Sequence, residues 1–240
     1  MMRKALTGMM LTGLLWAVPA QAWNDRTHMA VVEAAGAPAL AYMAVGADMA
    51  KEKFPDERYN HYSGNRRDAV ITVRDVLDQS ALYNTGQPAA GHLYGAVVAA
   101  VDRYRELRKD PSKYALYPLG YAMHYIGDLS MPYHNVGNPD GFQANHGRND
   151  GVVEGERDLV REIRSRMGRH AVIIDRRQFR ESLAARVAEL ATVTTSLGYR
   201  LADSRTPLMS RETAFDQLSR SAALLRGVLI ALELPVAEYP

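Results

Sequence analysis

His124 and Asp128 stand four residues apart in Met123-His124-Tyr125-Ile126-Gly127-Asp128, and His146 and Asp150 repeat that interval. Residues four apart on a helix share a face, so each pair can aim an imidazole nitrogen and a carboxylate oxygen at one point. His134 follows Asp128 by six residues, beyond Pro132. These are ligand types that zinc accepts at about 2.0–2.2 Å. A lone His/Asp pair is more often a surface hydrogen bond. Two pairs and a loop histidine between residues 124 and 150 point instead to a metal. The chain of 240 residues has no Cys. Disulfides, iron–sulfur clusters, thiol catalysis and zinc fingers are thereby excluded, and any metal must be held by His, Asp, Glu or backbone groups.

The elements that must position these groups read as helices. Leu93, Val97, Val101 and Tyr104 recur at helical spacing, as do Phe179, Leu183, Val187, Leu190 and Leu197. Phe215, Leu218, Ala222, Leu225, Leu229 and Leu232 repeat the pattern over several turns. Further helices are expected near 28–45, 67–83, 118–129 and 146–167, with Pro118 placed to open its helix. Residues 53–66 and 130–145, rich in Pro, Gly, Asn and Tyr, read as loops. No alternating strand pattern and no internal repeat is present. The expected fold class is all-α, a single compact multi-helix domain.

Residues 1–22 read as a secretory leader. Arg3 and Lys4 open it, Ala5 to Val18 is mostly apolar and uncharged, and Pro19-Ala20-Gln21-Ala22 gives a small-x-small ending. A membrane anchor is the alternative, but the apolar stretch falls short of the roughly 20 residues a span needs. The expectation is therefore a signal peptide over 1–22, a domain over 23–240, and a secreted protein, periplasmic or extracellular. Losing Arg3 and Lys4 leaves 27 Lys and Arg against 27 Asp and Glu. A neutral mature chain makes no electrostatic case for stable duplex DNA binding. Cleavage after Ala22 also makes Trp23 the first residue, in Trp23-Asn24-Asp25-Arg26-Thr27-His28. A free α-amino group and its own carbonyl oxygen can chelate a metal through a five-membered ring, with His28 near in sequence.

With Trp23 at the cleavage point, His28, and the run from His124 to His134, the sequence resembles the trinuclear-zinc phosphodiesterases. That superfamily joins bacterial zinc-dependent phospholipases C with single-strand-specific zinc nucleases. The family's pattern is present as His124/Asp128, Pro132/His134 and His146/Asp150. The resemblance covers most of residues 23–155 and is thin beyond. It implies a fold of the zinc-dependent phospholipase C type, secretion, and three zinc ions as cofactors. It implies Trp23, His28 and Asp128 around one zinc. His61, His124, Asp128 and an upstream Asp surround a second, with Asp128 bridging the two, and His134, His146 and Asp150 form the third site. The upstream acid is Asp48, 13 residues before His61, or Asp56, five before it; the interval favours Asp48. His92, before an apolar helix, and His170, in an Arg-rich turn, read as surface or capping residues.

The activity implied is phosphodiester hydrolysis, by in-line attack at phosphorus of a hydroxide held between two zincs, with Asp48 orienting or deprotonating the nucleophile. Arg58, Arg66 and Arg67 are loop cations that could clamp phosphate, although each is more readily a solvated charge. The 12-residue interval from His134 to His146 looks more like the phospholipase branch. The five residues from Trp23 to His28, and Asp150 in place of the usual Glu, resemble the nuclease branch. Tyr59, Tyr62 and Tyr133 could stack bases or face a lipid headgroup. A phospholipase C-like hydrolase with transient membrane-surface contact is the leading expectation. A single-strand-specific zinc nuclease, with single-stranded nucleic acid as its substrate, is the alternative, and a non-catalytic periplasmic zinc-binding helical protein is a second.

Overall fold

A computed structural model describes residues 23–110, 112–137 and 142–238. The leader expected over 1–22 lies outside the described residues. The protein is all-α. Among the described residues the helices are α1 (Asp25–Ala35), α2 (Gly46–Lys51), α3 (Val73–Ser80), α4 (Leu93–Leu107), α5 (Leu116–Leu129), α6 (Phe142–Asp150), α7 (Leu159–Met167), α8 (Phe179–Ala202) and α9 (Arg211–Ala231). One isolated parallel bridge joins Asn65 and Val136.

The apolar repeats read from the sequence lie on α4, α8 and α9, with Leu232 as the C-cap of α9, and all but the half-buried Leu197 are buried. The helix expected over 118–129 forms as α5, starting two residues earlier, and the other three expected helices are shorter or divided. The stretch 28–45 breaks after Ala35, where Gly36 takes φ 106° and its N–H returns to Val32 O. A left-handed cap of this kind suits glycine. Pro38 then opens a 3₁₀ stretch to Val45. The stretch 67–83 is helical only over α3, because Thr72 accepts from Asp75 N while Asp75 accepts from Thr72 N, a capping box that fixes the start. The stretch 146–167 divides into α6 and α7. The turn between them contains Gly151 and Gly155, and Arg26 donates to Glu156 O at 2.6 Å while Thr27 donates to Glu154 at 2.6 Å. Pro118 sits in the first turn of α5, where a missing donor costs nothing. The loop expected over 53–66 contains a 3₁₀ turn at Pro55–Asn60, and the one over 130–145 contains another at Pro132–His134.

Helix α5 is the centre of the molecule. From Ala122 to Leu129 every residue is buried, so the helix is enclosed on all sides rather than amphipathic. It packs against α4, α1, α8 and α9, and Ser221 of α9 donates to Ile126 O at 2.5 Å. The polar residues His124 and Asp128 therefore lie in the core itself, where an unpaired charge is costly. No described helix is long and apolar enough to cross a membrane.

Candidate metal centre

Four parts of the chain converge on Asp128: α1 with His28, α2 with Asp48, the end of the 55–60 turn with His61, and α5 with His124. Asp128 is fully buried, and its two oxygens face different groups. Oδ1 lies 3.3 Å from His28 Nε2. Oδ2 lies 3.0 Å from His61 Nδ1 and 3.2 Å from His124 Nε2. Asp48 Oδ1 closes the second group at 3.5 Å from His124 Nε2 and 3.6 Å from His61 Nδ1. Ligands held about 2.0–2.1 Å from a tetrahedral ion are about 3.3 Å from one another, so these separations fit an ion at the middle of each group. Divided in this way, Asp128 can serve two ions. His28 and His124 rings stack at 3.9 Å, which places His124 beside the first group as well as in the second.

The close approach of α1 to α5 depends on Gly127. A Cβ there would lie 2.7 Å from His28 Cε1 and nearer still to Nδ1. Gly127→Ala is therefore expected to push His28 off its position, cost about 1–3 kcal/mol of stability, and lower metal content. Thermal melts and elemental analysis of the purified variant check both.

The third group is His134, His146 and Asp150, all buried. His134 Nδ1 donates to His61 O. Because a carbonyl cannot donate, that bond fixes the tautomer and leaves Nε2 with its lone pair facing the group. His124 Nδ1 likewise donates to Ala44 O at 2.7 Å, leaving Nε2 for the cluster. His146 Nε2 and Asp150 Oδ1 are 3.6 Å apart. Beside Asp150, Asn149 holds α6 to the segment before α9, donating to Pro207 O at 3.0 Å and accepting from Met209 N at 2.7 Å. Tyr133 donates to the same Pro207 carbonyl at 2.9 Å.

The electrostatics of these groups would suit a cation. Among the described residues, neither oxygen of Asp150 has a hydrogen-bond partner, nor do Asp48 Oδ2, Asp128 Oδ1 and His134 Nε2. Buried polar atoms are ordinarily satisfied. Burial, with Asp128 facing it, pushes the Asp150 carboxyl up to about 9. Burial lowers His134 to about 4 and His146 well below the usual histidine range. Burial and the neighbouring His124 lower His28. Burial also opposes charge on His124, but Asp128 and Asp48 outweigh it and lift the ring to about 9. Asp128, despite burial, is held well below the usual carboxylate range by His124 and His134. The proton held on His124 supplies positive charge that a divalent ion would replace.

The residues named from the sequence sort as follows. His28, Asp48, His61, His124, Asp128, His134, His146 and Asp150 fall into three groups of potential ligands. Trp23 is fully buried, and its indole donates to Ser130 Oγ at 3.2 Å, two residues beyond Asp128. Asp56 is exposed and outside the groups. Arg58 is exposed and lies 4.8 Å from the Tyr59 ring centroid. Tyr62 donates to Ala89 O at 3.1 Å, and Arg66 is exposed. Arg67 is exposed and donates to Asp203 at 2.8 Å. His92 is corrected: it is fully buried, makes no side-chain cap, and its Nε2 donates to Asn60 Oδ1 at 2.8 Å. His170 is partly buried and bonds Asp216 at 2.9 Å.

Two residues near the centre were missed. Lys51 pairs with Asp48 from three positions along α2. Glu57, buried, stands four residues before His61. The same four-residue interval that singled out His124/Asp128 would have found it. Neither a protein-family model nor a curated protein matches the chain.

Proposed function

We propose that the protein is a zinc-dependent phosphodiester hydrolase, phospholipase C-like, secreted after loss of residues 1–22. The observation that carries this reading is the three buried acid–imidazole groups, two of which share the divided carboxylate of Asp128. Trp23, His28 and Asp128 would hold one ion, Asp48, His61, His124 and Asp128 a second, and His134, His146 and Asp150 a third. Bound zinc lowers the pKa of water from 15.7 towards 7 and neutralises charge developing on phosphoryl oxygens.

The chain's own residues account for the rest. Asp48 has one oxygen held by Lys51 and the other, Oδ2, without a partner. Oδ2 would take a proton from the attacking water. Burial opposes a charge on Asp48, but His124 and Lys51 hold its carboxyl below the usual range, which keeps it ionised at neutral pH. Lys51 adds a positive charge beside the same cluster, suited to a phosphodiester oxygen. Tyr125, edge-on to both His61 and His124, walls the second group.

A single-strand-specific nuclease is the second reading. Tyr59 and Tyr62, with ring centroids 6.2 Å apart, beside Arg58 favour it, since bases stack on such surfaces. The test is hydrolysis of phosphatidylcholine vesicles against single-stranded DNA and RNA, each with zinc and with chelator. Zinc-dependent release of phosphocholine is expected. Cleavage of nucleic acid alone would replace the first reading with the second, and turnover of neither, at full metal occupancy, would leave a metal-binding protein.

The terminal amine of Trp23 gives a separate prediction. Mature protein beginning at Trp23 should carry one metal ion more than protein bearing one extra residue before it. Elemental analysis of the two forms checks this, and equal contents would remove Trp23 from the ligand set.

A further inference from the structure

His61 differs from the other two histidines whose bonds fix them. His124 and His134 each give Nδ1–H to a backbone carbonyl and turn Nε2 to the cluster. His61 turns Nδ1 to the cluster, 3.0 Å from Asp128 Oδ2 and 3.1 Å from His124 Nε2. An imidazole that offers Nδ1 as a lone pair carries its proton on Nε2. The carboxylate beside that nitrogen is Glu57's, with Oε1 at 3.6 Å, just beyond hydrogen-bond length, and Nε2 has no other partner among the described residues.

Glu57 is built into this position. It is 7% exposed. Its Oε1 accepts from the Tyr125 hydroxyl, and its Oε2 accepts from Asn60 Nδ2 at 2.9 Å. Asn60 is fixed in turn by His92 Nε2 at 2.8 Å and by Asn84, whose Oδ1 accepts at 2.8 Å. This network explains why His92 is buried. A carboxylate has been kept in the interior, held by the Tyr125 and Asn60 side chains, on the side of His61 away from the ion position. A carboxylate behind a ligating histidine fixes its tautomer and raises its basicity more than a carbonyl does.

We propose that Glu57 is a positioning residue that sets metal affinity at the His61 site through His61 Nε2, without being a ligand. This rests on reading Asp48, His61, His124 and Asp128 as a metal centre. The experiment titrates metal-free wild-type, Glu57→Gln and Asp56→Asn protein with cobalt(II), following the visible absorption of bound cobalt and competing it with a chromophoric chelator. Glu57→Gln should keep its melting temperature within a few degrees once loaded. One cobalt should be bound about 10–100-fold more weakly with an altered absorption band, the other sites and Asp56→Asn remaining as in wild type. Wild-type protein that binds no cobalt would overturn the metal centre itself. Wild-type binding matched by Glu57→Gln at every site, or equal weakening at all sites, would overturn only the role of Glu57. Should Glu57→Gln not fold, Tyr125→Phe removes the hydroxyl that holds Glu57. A several-fold loss confined to one site supports the proposal, and unchanged binding ends it.

Discussion

Asp128→Asn is expected to remove at least about two orders of magnitude of hydrolytic activity and to lower metal content at two sites together. Loss of a residue merely supporting a ligand typically costs 10–100-fold, and Asp128 faces both groups at once: Oδ1 meets His28, Oδ2 meets His61 and His124. Asparagine keeps the shape but turns one oxygen into a donor, aimed at imidazole nitrogens that must themselves give lone pairs. His170→Ala, which breaks only the bond to Asp216, is the comparison. Steady-state rates and elemental analysis read the result. Equal activity of the two variants, with unchanged metal content, would remove Asp128 from the centre.

Chelation should lower the melting temperature by about 10 °C or more. An ion present at 1,000 times its Kd stabilises the folded state by about 4 kcal/mol, and each kcal/mol moves the midpoint of a domain this size by about 2–4 °C. The effect is direct because the groups left behind are buried. Among the described residues, Asp150 has neither oxygen hydrogen-bonded, and Asp48, Asp128 and His134 each leave an atom unmatched. No disulfide is available to hold the helices instead. Calorimetry of protein treated with EDTA and then reloaded with zinc checks this, and an identical melting curve would argue that the clusters are ordinary polar core.

The all-α class was legible because apolar spacing on α4, α8 and α9 is strong and long. The potential ligand residues were legible because a helix turns four-residue intervals into shared faces, as at His124/Asp128. Helix ends were read less well. The breaks at Gly36 and over 151–158 depend on a cap and on Arg26 and Thr27 reaching across the fold, which spacing alone does not reveal. Asp48 and Asp56 could be separated only by a preferred interval, since both precede His61; the bend of the chain between α2 and the 55–60 turn brings Asp48 beside His61 and His124. Lys51, Glu57 and the burial of His92 escaped notice because their partners, Asp48, Tyr125 and Asn60, assemble through tertiary packing.

The link from Asn149 and Tyr133 to the 207–209 segment bears on how the protein is made. Every side chain in the three groups has been synthesised once residue 150 is added, yet Pro207 and Met209, which brace the third group, come some sixty residues later. Chains emerge N-terminus first. The third group is therefore braced only once the segment before α9 is in place, and α5, which carries His124 and Asp128, is enclosed only when α8 and α9 pack on it.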